Sequence, residues 1–366
     1  MAIFVTGATG LVGGNLVQYL LEQKHIHLSS HEDLICLVRT PAKAIDLQSL
    51  GVKIIQGDLS DKEILSRIFQ EYTVEFVFHL AACVSVHSSF DEMYRTNVLG
   101  TKNLLEAFCD SSAKTFIHTS SIIVYDHKNL RKRNKVIKFT EKSPIGAKEK
   151  GKDVPYAVTK RLAEDLVKKF AASYPSKSFL ITRLGPIIGK GDRQMIPSLT
   201  HAFALPLPKL INHGKGQISL TAARDVARAQ VFLVKNGNSY SGQAFNIAHE
   251  PWNFYQLFNI VAEYYQRPPP KFNIPLWLFL MFKPLLTFIR FCGQKSEFTQ
   301  TILSPTALEY MEFSYEYVSE KIRNLGFKFT ESVYSAVWEG LEAYDPRKLI
   351  PFGRNNKKLK SKMKKS

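Results

Sequence analysis

Three glycines at three-residue intervals stand between an apolar segment and a helical pattern at the start of the chain. The segment at residues 2–5 reads Ala-Ile-Phe-Val and is β-rich, and leucines at 16, 20 and 21 have helical spacing. Gly7 permits a tight turn, Gly10 lets a ligand approach the backbone, and Gly13 lets the helix pack on the strand. The order strand, turn, helix predicts a β-α unit whose helix N-terminus binds a pyrophosphate. A flexible glycine loop is the alternative.

Strand and helix patterns then alternate up to about residue 183. This alternation predicts an α/β fold, a Rossmann-type doubly wound parallel sheet with a smaller C-terminal substrate-binding lobe. We expect residues 1–182 plus about 216–248 to form the NAD(P)-binding domain. Residues 183–215 plus about 249–350 would form the lobe, and residues 351–366 a basic tail.

Two side chains bear on which dinucleotide the turn would hold. Arg39 follows the second predicted strand, where a site specific for NAD usually has an acid. A guanidinium suits the 2′-phosphate of NADP, so we predict NADP as the preferred cofactor and NAD as the second choice. A surface arginine is the alternative. Asp58 follows the third strand and is placed to accept a hydrogen bond from the adenine amino group. Helix N-capping is its rival role, and Ser60 and Asp61 compete for it.

Tyr156 and Lys160 stand four residues apart, far along the chain from the glycine turn. On a helix these positions share a face, so the ammonium can stand close to the phenol oxygen. A tyrosine titrates at about 10, and a nearby cation lowers its pKa toward the working range of a general acid or base. We expect the pair to exchange a proton beside a nicotinamide ring. Tyr-x-x-x-Lys alone is common on helices, so its surroundings give it weight.

The fourth and fifth predicted strands end in small or polar residues. The fourth opens on Leu80, Ala81 and Ala82, which would let a cofactor ribose approach, and we expect His79 to be structural. The fifth ends at Ser120 and Ser121. A serine hydroxyl at the carboxyl end of a central strand can point at a substrate oxygen, and either serine fits, with a local turn hydrogen bond as the alternative.

These residues resemble the extended short-chain dehydrogenase/reductase family, also called the NAD-dependent epimerase/dehydratase family. The resemblance covers most of residues 1–345. It rests on ordered motifs: Thr6-Gly7-Ala8-Thr9-Gly10-Leu11-Val12-Gly13, Asp58, His79-Leu80-Ala81-Ala82, Asn97-Val98-Leu99-Gly100-Thr101, Ser120-Ser121-Ile122-Ile123-Val124-Tyr125, Tyr156 with Lys160, and Arg183-Leu184-Gly185-Pro186-Ile187-Ile188-Gly189.

The resemblance implies a role for each matching residue. Ser121, four residues before Tyr125, matches the catalytic serine and is preferred over Ser120. Tyr156 would transfer the proton, and Lys160 would lower its pKa and hold the nicotinamide ribose. Pro186 would border the nicotinamide ring, and Asn97 would be structural. The implied cofactor-binding residues are Gly7, Thr9, Gly10, Leu11, Val12, Gly13, Arg39, Asp58, Leu59, Leu80, Ala81, Ala82, Tyr156, Lys160 and Pro186.

Two departures narrow the implied substrate. Nucleotide-sugar epimerases usually have an asparagine where this chain has Gly185, and an arginine where it has Ile218. The chain is more similar to the branch of 3β-hydroxysteroid dehydrogenases, sterol dehydrogenases and dihydroflavonol reductases. We therefore expect an NAD(P)-dependent oxidoreductase that interconverts a secondary alcohol and a ketone on an apolar, sterol-like small molecule. A nucleotide-sugar epimerase or dehydratase and a non-catalytic NAD(P)-binding sensor are the alternatives.

The net charge of +17 is concentrated in two segments. Residues 127–152 hold ten Lys/Arg against two Glu, and residues 354–366 hold seven Lys/Arg and no acid. A basic tail beside an apolar segment suits the surface of an anionic membrane, while solubilising disorder is an equal alternative. We expect no nucleic acid partner, because no aromatic residues are interleaved in the tail.

The apolar run at residues 276–282 is too short to span a bilayer, and we expect Lys283-Pro284 to end it. It would line a substrate pocket, lie in a membrane interface, or belong to the core or a homodimer contact. The four cysteines lack metal-ligand spacing, so we expect no metal and a reducing compartment. The apolar start is a strand and not a secretory signal, which favours a cytoplasmic protein that contacts the inner membrane surface at most peripherally.

Overall fold

The glycine turn connects the central strand of a seven-stranded sheet to the first helix. The computed structural model describes residues 1–22, 30–85, 88–133, 135–147, 154–204, 210–292 and 305–344. The sheet order is β12-β7-β5-β4-β1-β2-β3, and every neighbouring pair is parallel. Its strands are β1 (Ala2–Thr6), β2 (Leu34–Val38), β3 (Lys53–Gln56), β4 (Val74–His79), β5 (Thr115–Ser121), β7 (Ser178–Leu184) and β12 (Ala244–Ile247). The predicted doubly wound parallel sheet is confirmed.

Successive residues of β1 enter two different hydrophobic cores, one on each face of the sheet. Ile3 and Val5 pack with helices α1 and α9, whereas Ala2 and Phe4 pack with helices α3, α5 and α7. This alternation is the two-residue period of a strand that is buried on both sides. The helices that cover the sheet are α1 (Leu11–Glu22), α3 (Lys62–Glu71), α5 (Gly100–Cys109), α7 (Pro155–Ser173) and α9 (Ala223–Asn236).

The remaining elements build a smaller sheet and a third core. The smaller sheet has the order β13-β10-β15-β6, and two strand pairs, β8 with β11 and β9 with β14, stand apart from it. Its strands are β6 (Val136–Phe139), β10 (Gln217–Ser219), β13 (Pro251–Asn253) and β15 (Ser314–Tyr317), and the pairs are β8 (Ile187–Ile188), β9 (Leu210–Ile211), β11 (Thr221–Ala222) and β14 (Asn273–Ile274). Strand β6, inside the predicted NAD(P)-binding segment, therefore pairs with a strand from the C-terminal part of the chain.

The other helices are short or belong to this second part of the molecule. They are α2 (Ile45–Ser49), α4 (Phe90–Tyr94), α6 (His127–Leu130), α8 (Met195–Ala204), α10 (Phe254–Tyr264), α11 (Leu276–Cys292), α12 (Pro305–Glu312), α13 (Glu320–Asn324) and α14 (Val333–Ala343). A single π-helical turn, Arg95–Leu99, joins α4 to α5. No helix in the described part of the chain is long and apolar enough to cross a membrane.

Helix α11 corrects one prediction. We expected Lys283-Pro284 to end the apolar run, but the helix continues through Pro284 to Cys292. A proline in a helix interior removes one backbone hydrogen bond without forbidding the turns on either side. The helix is also not core, because Phe279 is its one buried residue. The predicted basic tail, residues 351–366, lies outside the described residues.

Candidate active site

The glycine turn forms a cradle that larger residues would fill. Gly7 has φ +77°, and a Cβ there would lie 2.5 Å from the amide nitrogen of Ala81. A Cβ on Gly13 would lie 2.2 Å from the carbonyl oxygen of Gly7. Both positions are therefore restricted to glycine. Helix α1 begins at Leu11 with no acidic residue in its first turn, so its N-terminal amides and dipole face the turn uncompensated. This geometry fits a dinucleotide pyrophosphate.

The ends of β2 and β3 bring together the two residues that we expect to bind the adenosine half of the cofactor. The side chains of Arg39, after β2, and Asp58, after β3, are 3.9 Å apart and largely exposed. Asp58 accepts hydrogen bonds from the backbone amide and hydroxyl of Ser60, whereas Asp61 caps helix α3. The rival capping role for Asp58 thus belongs to Asp61. Both Arg39 and Asp58 are free to meet a ligand at this edge.

The loop after β4 is attached to the glycine turn and to the catalytic helix. The amide of Leu80 donates to the carbonyl of Thr6, and that of Ala81 donates to the Thr6 hydroxyl. Beyond Ala82, Asn97 accepts from the Cys83 amide at 2.7 Å and donates to the Thr159 hydroxyl at 3.1 Å. Asn97 is buried and fixes the loop against α7, which is a structural role. Leu59 is buried in the core that α3, α5 and α7 form on one face of the sheet.

Ser121 and Tyr156 meet at the carboxyl edge of the sheet. Tyr156 stands at the start of α7, and the Ser121 hydroxyl lies close enough to its phenol to lower the pKa of that group. Ser120 points to the other side of β5, where it donates to Glu164 at 2.7 Å. The structure therefore brings Ser121, and not Ser120, to the tyrosine. Neighbouring residues of a strand point to opposite faces of the sheet, so Ser120 cannot reach Tyr156 when Ser121 does.

Lys160 lies one helical turn after Tyr156 and is buried. Its ammonium donates to the backbone carbonyl of Thr119 at 2.8 Å and stands 5.9 Å from the centre of the Tyr156 ring. The predicted shared face of α7 is thus present. Pro186 follows β7 two residues after Leu184, which is paired with Ser121, so it lies at the same edge of the sheet.

Burial dominates the pKa of Tyr156. It raises that pKa to about 12, and Ser121 lowers it only in part. Burial also lowers the pKa of Lys160 to about 8, against the opposing charge of Glu164. The cause is desolvation, which disfavours both the phenolate and the ammonium. In this structure the Tyr156 phenol keeps its proton near neutral pH, and a phenolate requires further positive charge.

A buried ion pair next to the predicted catalytic residues was missed in the sequence. Arg183 donates to both carboxylate oxygens of Glu164, at 2.9 and 2.7 Å. Burial alone would raise the pKa of Glu164, but the hydrogen bonds and charge of Arg183 lower it. A signal existed, because Tyr156, Lys160 and Glu164 are spaced four residues apart on one helix. The pair connects α7 to β7 and orders Ser120, the neighbour of Ser121.

Arg183 extends this polar network toward the smaller sheet. It donates to the Tyr125 phenol at 3.1 Å, and Tyr125 donates to the side chain of Asn246 at 2.6 Å. Asn246 in turn donates to the backbone carbonyls of Phe139 and Val318. The chain of hydrogen bonds fixes β5, β7 and β12 relative to β6. The site is therefore supported from both parts of the molecule.

His79 is structural, as expected. Its ring is bonded to the hydroxyls of Thr6 and Thr101, each at 2.8 Å. Burial, with the charge of Lys160, lowers the pKa of His79 to about 3. With this pKa the imidazole stays neutral near pH 7, and its two nitrogens are held between two hydroxyls. It connects β1, β4 and α5 below the glycine turn.

The four cysteines are unpaired thiols in the described structure. Cys36 and Cys109 are buried, Cys83 is partly buried and Cys292 is exposed. Burial raises the pKa of Cys36 to about 12, so that thiol stays protonated. The Cys83 sulfur is 3.2 Å from the Ser88 hydroxyl, near the loop after β4. None of these thiols takes part in the proton exchange described above.

Comparison with known proteins places this site in a family. A model of the NAD dependent epimerase/dehydratase family matches residues 3–248, which is more than half of the chain. The matched segment holds the glycine turn, Ser121, Tyr156, Lys160 and the Glu164–Arg183 pair.

Individual relatives include an epimerase and a dehydrogenase. A UDP-glucose 4-epimerase of Yersinia enterocolitica is 28% identical over 229 residues, 58% of this chain and 65% of that protein. A 3beta-hydroxysteroid-dehydrogenase/decarboxylase isoform 2 of Arabidopsis thaliana is 28% identical over 294 residues, 75% of this chain and 50% of that protein. The chain thus spans between half and two thirds of the length of these two relatives.

Solved structures share the fold. The crystal structure of UDP-glucuronic acid 4-epimerase from Bacillus cereus in complex with NAD has a TM-score of 0.69 and 20% identity, over 94% of this chain and 98% of that one. The Rossmann-like architecture is therefore shared across nearly the whole chain.

Proposed function

This chain belongs to the NAD-dependent epimerase/dehydratase family, and we propose that it is an NAD(P)-dependent oxidoreductase that interconverts a secondary alcohol and a ketone on an apolar, sterol-like small molecule. The family consists of NAD(P)-dependent enzymes of the extended short-chain dehydrogenase/reductase type. The observation that carries the proposal is the meeting of Ser121, at the end of β5, with Tyr156, at the start of α7 and one turn before the buried Lys160. A substrate oxygen placed between the two hydroxyls would contact both.

The residues of the chain divide the work of such a reaction. A bound nicotinamide dinucleotide supplies or accepts hydride. Ser121 donates a hydrogen bond that orients the substrate oxygen, and Tyr156 transfers the proton to that oxygen during reduction. Because burial raises the pKa of Tyr156 to about 12, the phenol holds its proton near neutral pH. Reduction is therefore the direction in which the side chain starts in the correct protonation state.

Two residues support an apolar substrate over a nucleotide sugar. Ile218, at the position where epimerases of the family tend to have an arginine, is fully buried in β10 and packs in the third core. It offers no charge to a diphosphate. Gly185 replaces an asparagine, and a Cβ there would lie 2.9 Å from the carbonyl oxygen of Ser219. A larger residue is thus disfavoured at that place by the backbone around it.

NADP is the proposed cofactor, with NAD as the second choice. The Arg39 side chain is 72% exposed at the end of β2, and its nearest charge partner, Asp58, is 3.9 Å away. An ion pair this long and exposed costs little to exchange for a phosphate. The guanidinium can therefore turn toward a 2′-phosphate and bind it through two hydrogen bonds.

The experiment measures net cofactor conversion. The protein is incubated with NADPH or NADH and a panel of apolar ketones, with nicotinamide absorbance followed and products identified by mass spectrometry. We expect stoichiometric oxidation of the cofactor with one ketone class. Tyr156→Phe should retain cofactor binding and lose turnover by about 10²–10⁴-fold, because it removes the proton donor. Tyr174→Phe, on an exposed tyrosine just past the other end of α7, should behave as the wild type.

Other outcomes of this experiment would assign one of the two alternative functions. Conversion of a nucleotide sugar at constant nicotinamide absorbance would instead assign an epimerase or dehydratase. Binding of cofactor with no turnover across both panels would assign a sensor. Turnover by Tyr156→Phe at the wild-type rate would reject the assigned proton donor.

A further inference from the structure

Helix α11 turns its apolar side outward. Trp277, Phe288 and Phe291 are 67%, 62% and 68% exposed. Further exposed apolar side chains on the helix are Met281, Phe282, Leu285 and Ile289. We call these seven residues the α11 face. Large apolar side chains are exposed singly on most proteins, but a contiguous group of this size marks a binding surface.

Helix α11 presents an apolar side outward, whereas an ordinary surface helix presents its polar side outward. Positions 277, 281, 285 and 288 are four or three residues apart and therefore share one side. The opposite side holds buried Phe279 and half-buried Lys283, whose ammonium pairs with Glu312. The charged Lys283 thus packs against the protein, while Trp277 and Phe288 face outward. Such an arrangement is stable where the outer medium is itself apolar.

Basic side chains from another part of the chain stand beside the α11 face. Arg133, in the connection between α6 and β6, bonds the same Glu312 carboxylate at 2.7 Å. The Arg131 guanidinium lies 5.5 Å from the centre of the Phe313 ring. Together they border an open cavity of about 750 Å³, lined by Arg131, Arg133, Leu280, Lys283, Pro284, Thr287, Glu312 and Phe313. Cations thus outnumber the one anion at the edge of the apolar helix.

We propose that the α11 face, with the basic rim of Arg131, Lys132 and Arg133, docks this protein on the surface of an anionic lipid bilayer. Aromatic and aliphatic side chains would enter the boundary of the acyl chains, and the rim would meet lipid phosphates. The helix has 17 residues, about 26 Å at 1.5 Å each, and its inner side is bound to the protein. It therefore lies parallel to the membrane.

The charge of the whole chain agrees with this occupant. Residues 127–152 hold ten Lys/Arg, and the rim is part of that segment. Each basic residue near an anionic surface contributes about 1 kcal/mol of attraction. A second copy is a poorer partner for the face, since a two-fold interface would bring the same basic rim of both copies together. Docking on a bilayer would also bring the protein to the source of an apolar substrate.

The test is cosedimentation of the full chain with phosphatidylcholine vesicles with and without phosphatidylserine. We expect binding to the anionic vesicles, little binding to the neutral ones, and weakening at high salt. Trp277→Ser/Phe288→Ser should weaken partitioning at least about tenfold. Ile45→Ser/Leu50→Ser, on exposed apolar residues of α2 and its C-terminus, should not.

A second set of variants tests the basic rim separately from the α11 face. Arg131→Gln/Lys132→Gln should reduce binding to anionic vesicles and leave residual binding to neutral ones unchanged. Lys169→Gln/Lys235→Gln, on exposed lysines of α7 and α9, removes the same charge elsewhere and should have a smaller effect. All four variants lie outside the catalytic residues, so cofactor binding should be retained and serves as the check of folding.

Three results would overturn the proposal. They are equal binding to neutral and anionic vesicles, equal loss with the two apolar variants, and absence of wild-type binding. If the wild type fails to bind while Trp277→Ser/Phe288→Ser changes a dimer into a monomer in light scattering, the α11 face is a contact between copies. None of these outcomes depends on turnover, so the proposed oxidoreductase activity is tested separately.

Discussion

The ammonium of Lys160 is held by the backbone carbonyl of Thr119, 2.8 Å away, at the end of the strand that carries Ser121. This bond fixes the lysine beside the ring of Tyr156 before any ligand binds. Burial raises the pKa of the phenol and lowers that of the ammonium to about 8, so it disfavours the charged form of each. Activation of the tyrosine therefore depends on what binds next to the pair.

Replacement of Lys160 by Met should change stability in a pH-dependent way. Burial lowers the pKa of Lys160 from 10.5 to about 8, so between these values the unfolded chain binds more protons than the folded one. The free energy of unfolding of the wild type should therefore rise with pH in this window. Below it, the buried ammonium costs the folded protein on the order of 3 kcal/mol. The gain in free energy of unfolding from Lys160→Met, measured by urea unfolding, should be largest below pH 8 and shrink toward pH 10.5.

Lys169→Met, on an exposed lysine of the same helix, is the control. An equal pH dependence of stability in both variants would contradict the expectation.

Glu164→Gln should destabilise the protein strongly. The change leaves the Arg183 guanidinium buried without its counter-charge, which costs about 3–5 kcal/mol. It also removes the charge that raises the pKa of Lys160, so that pKa should fall further below 8. Urea unfolding measures the first effect. Glu71→Gln, which breaks an exposed pair with Arg67, should cost less than about 1 kcal/mol. A Glu164→Gln variant as stable as Glu71→Gln would show that the buried pair is not coupled as described.

Two adjacent glycines should respond in opposite ways to alanine. Gly13→Ala places a Cβ 2.2 Å from the Gly7 carbonyl oxygen, so the turn must shift, and we expect a loss of about 1–3 kcal/mol with weaker cofactor binding. Gly14→Ala meets nothing closer than 3.7 Å and should stabilise helix α1 by about 0.5–1 kcal/mol. Thermal unfolding and a cofactor titration measure both. Equal changes in the two variants would mean that the turn does not restrict residue 13.

Arg39→Gln should change cofactor preference and leave the fold intact. The side chain is exposed and its contact with Asp58 is long, so its loss should cost little stability. If it binds a 2′-phosphate, the Kd for NADPH should rise about tenfold or more while that for NADH stays constant. Arg67→Gln, an exposed arginine on α3, is the control. An equal effect on both cofactors would remove the basis for preferring NADP.

Several features of this protein were readable in the order of its residues. The β-rich residues 2–5, the glycine intervals and the leucine spacing predicted the first strand, turn and helix, because these depend on local periodicity and on backbone freedom at single positions. The spacing of Tyr156 and Lys160 likewise predicted their shared face, since a helix brings positions four apart together wherever it occurs. The parallel sheet followed from the alternation of strands and helices.

Other features were decided by contacts between distant segments. The pairing of Glu164 with Arg183 and the bond from Lys160 to Thr119 join residues that lie 19 and 41 positions apart. Burial, which raises the pKa of Tyr156, exists only once those segments enclose the site. The sequence also did not predict that the α11 face points outward. An apolar run predicts that its side chains are covered, but it does not show whether the protein itself or a partner covers them. Local pattern sets the elements of this protein, and desolvation in the assembled fold sets its chemistry.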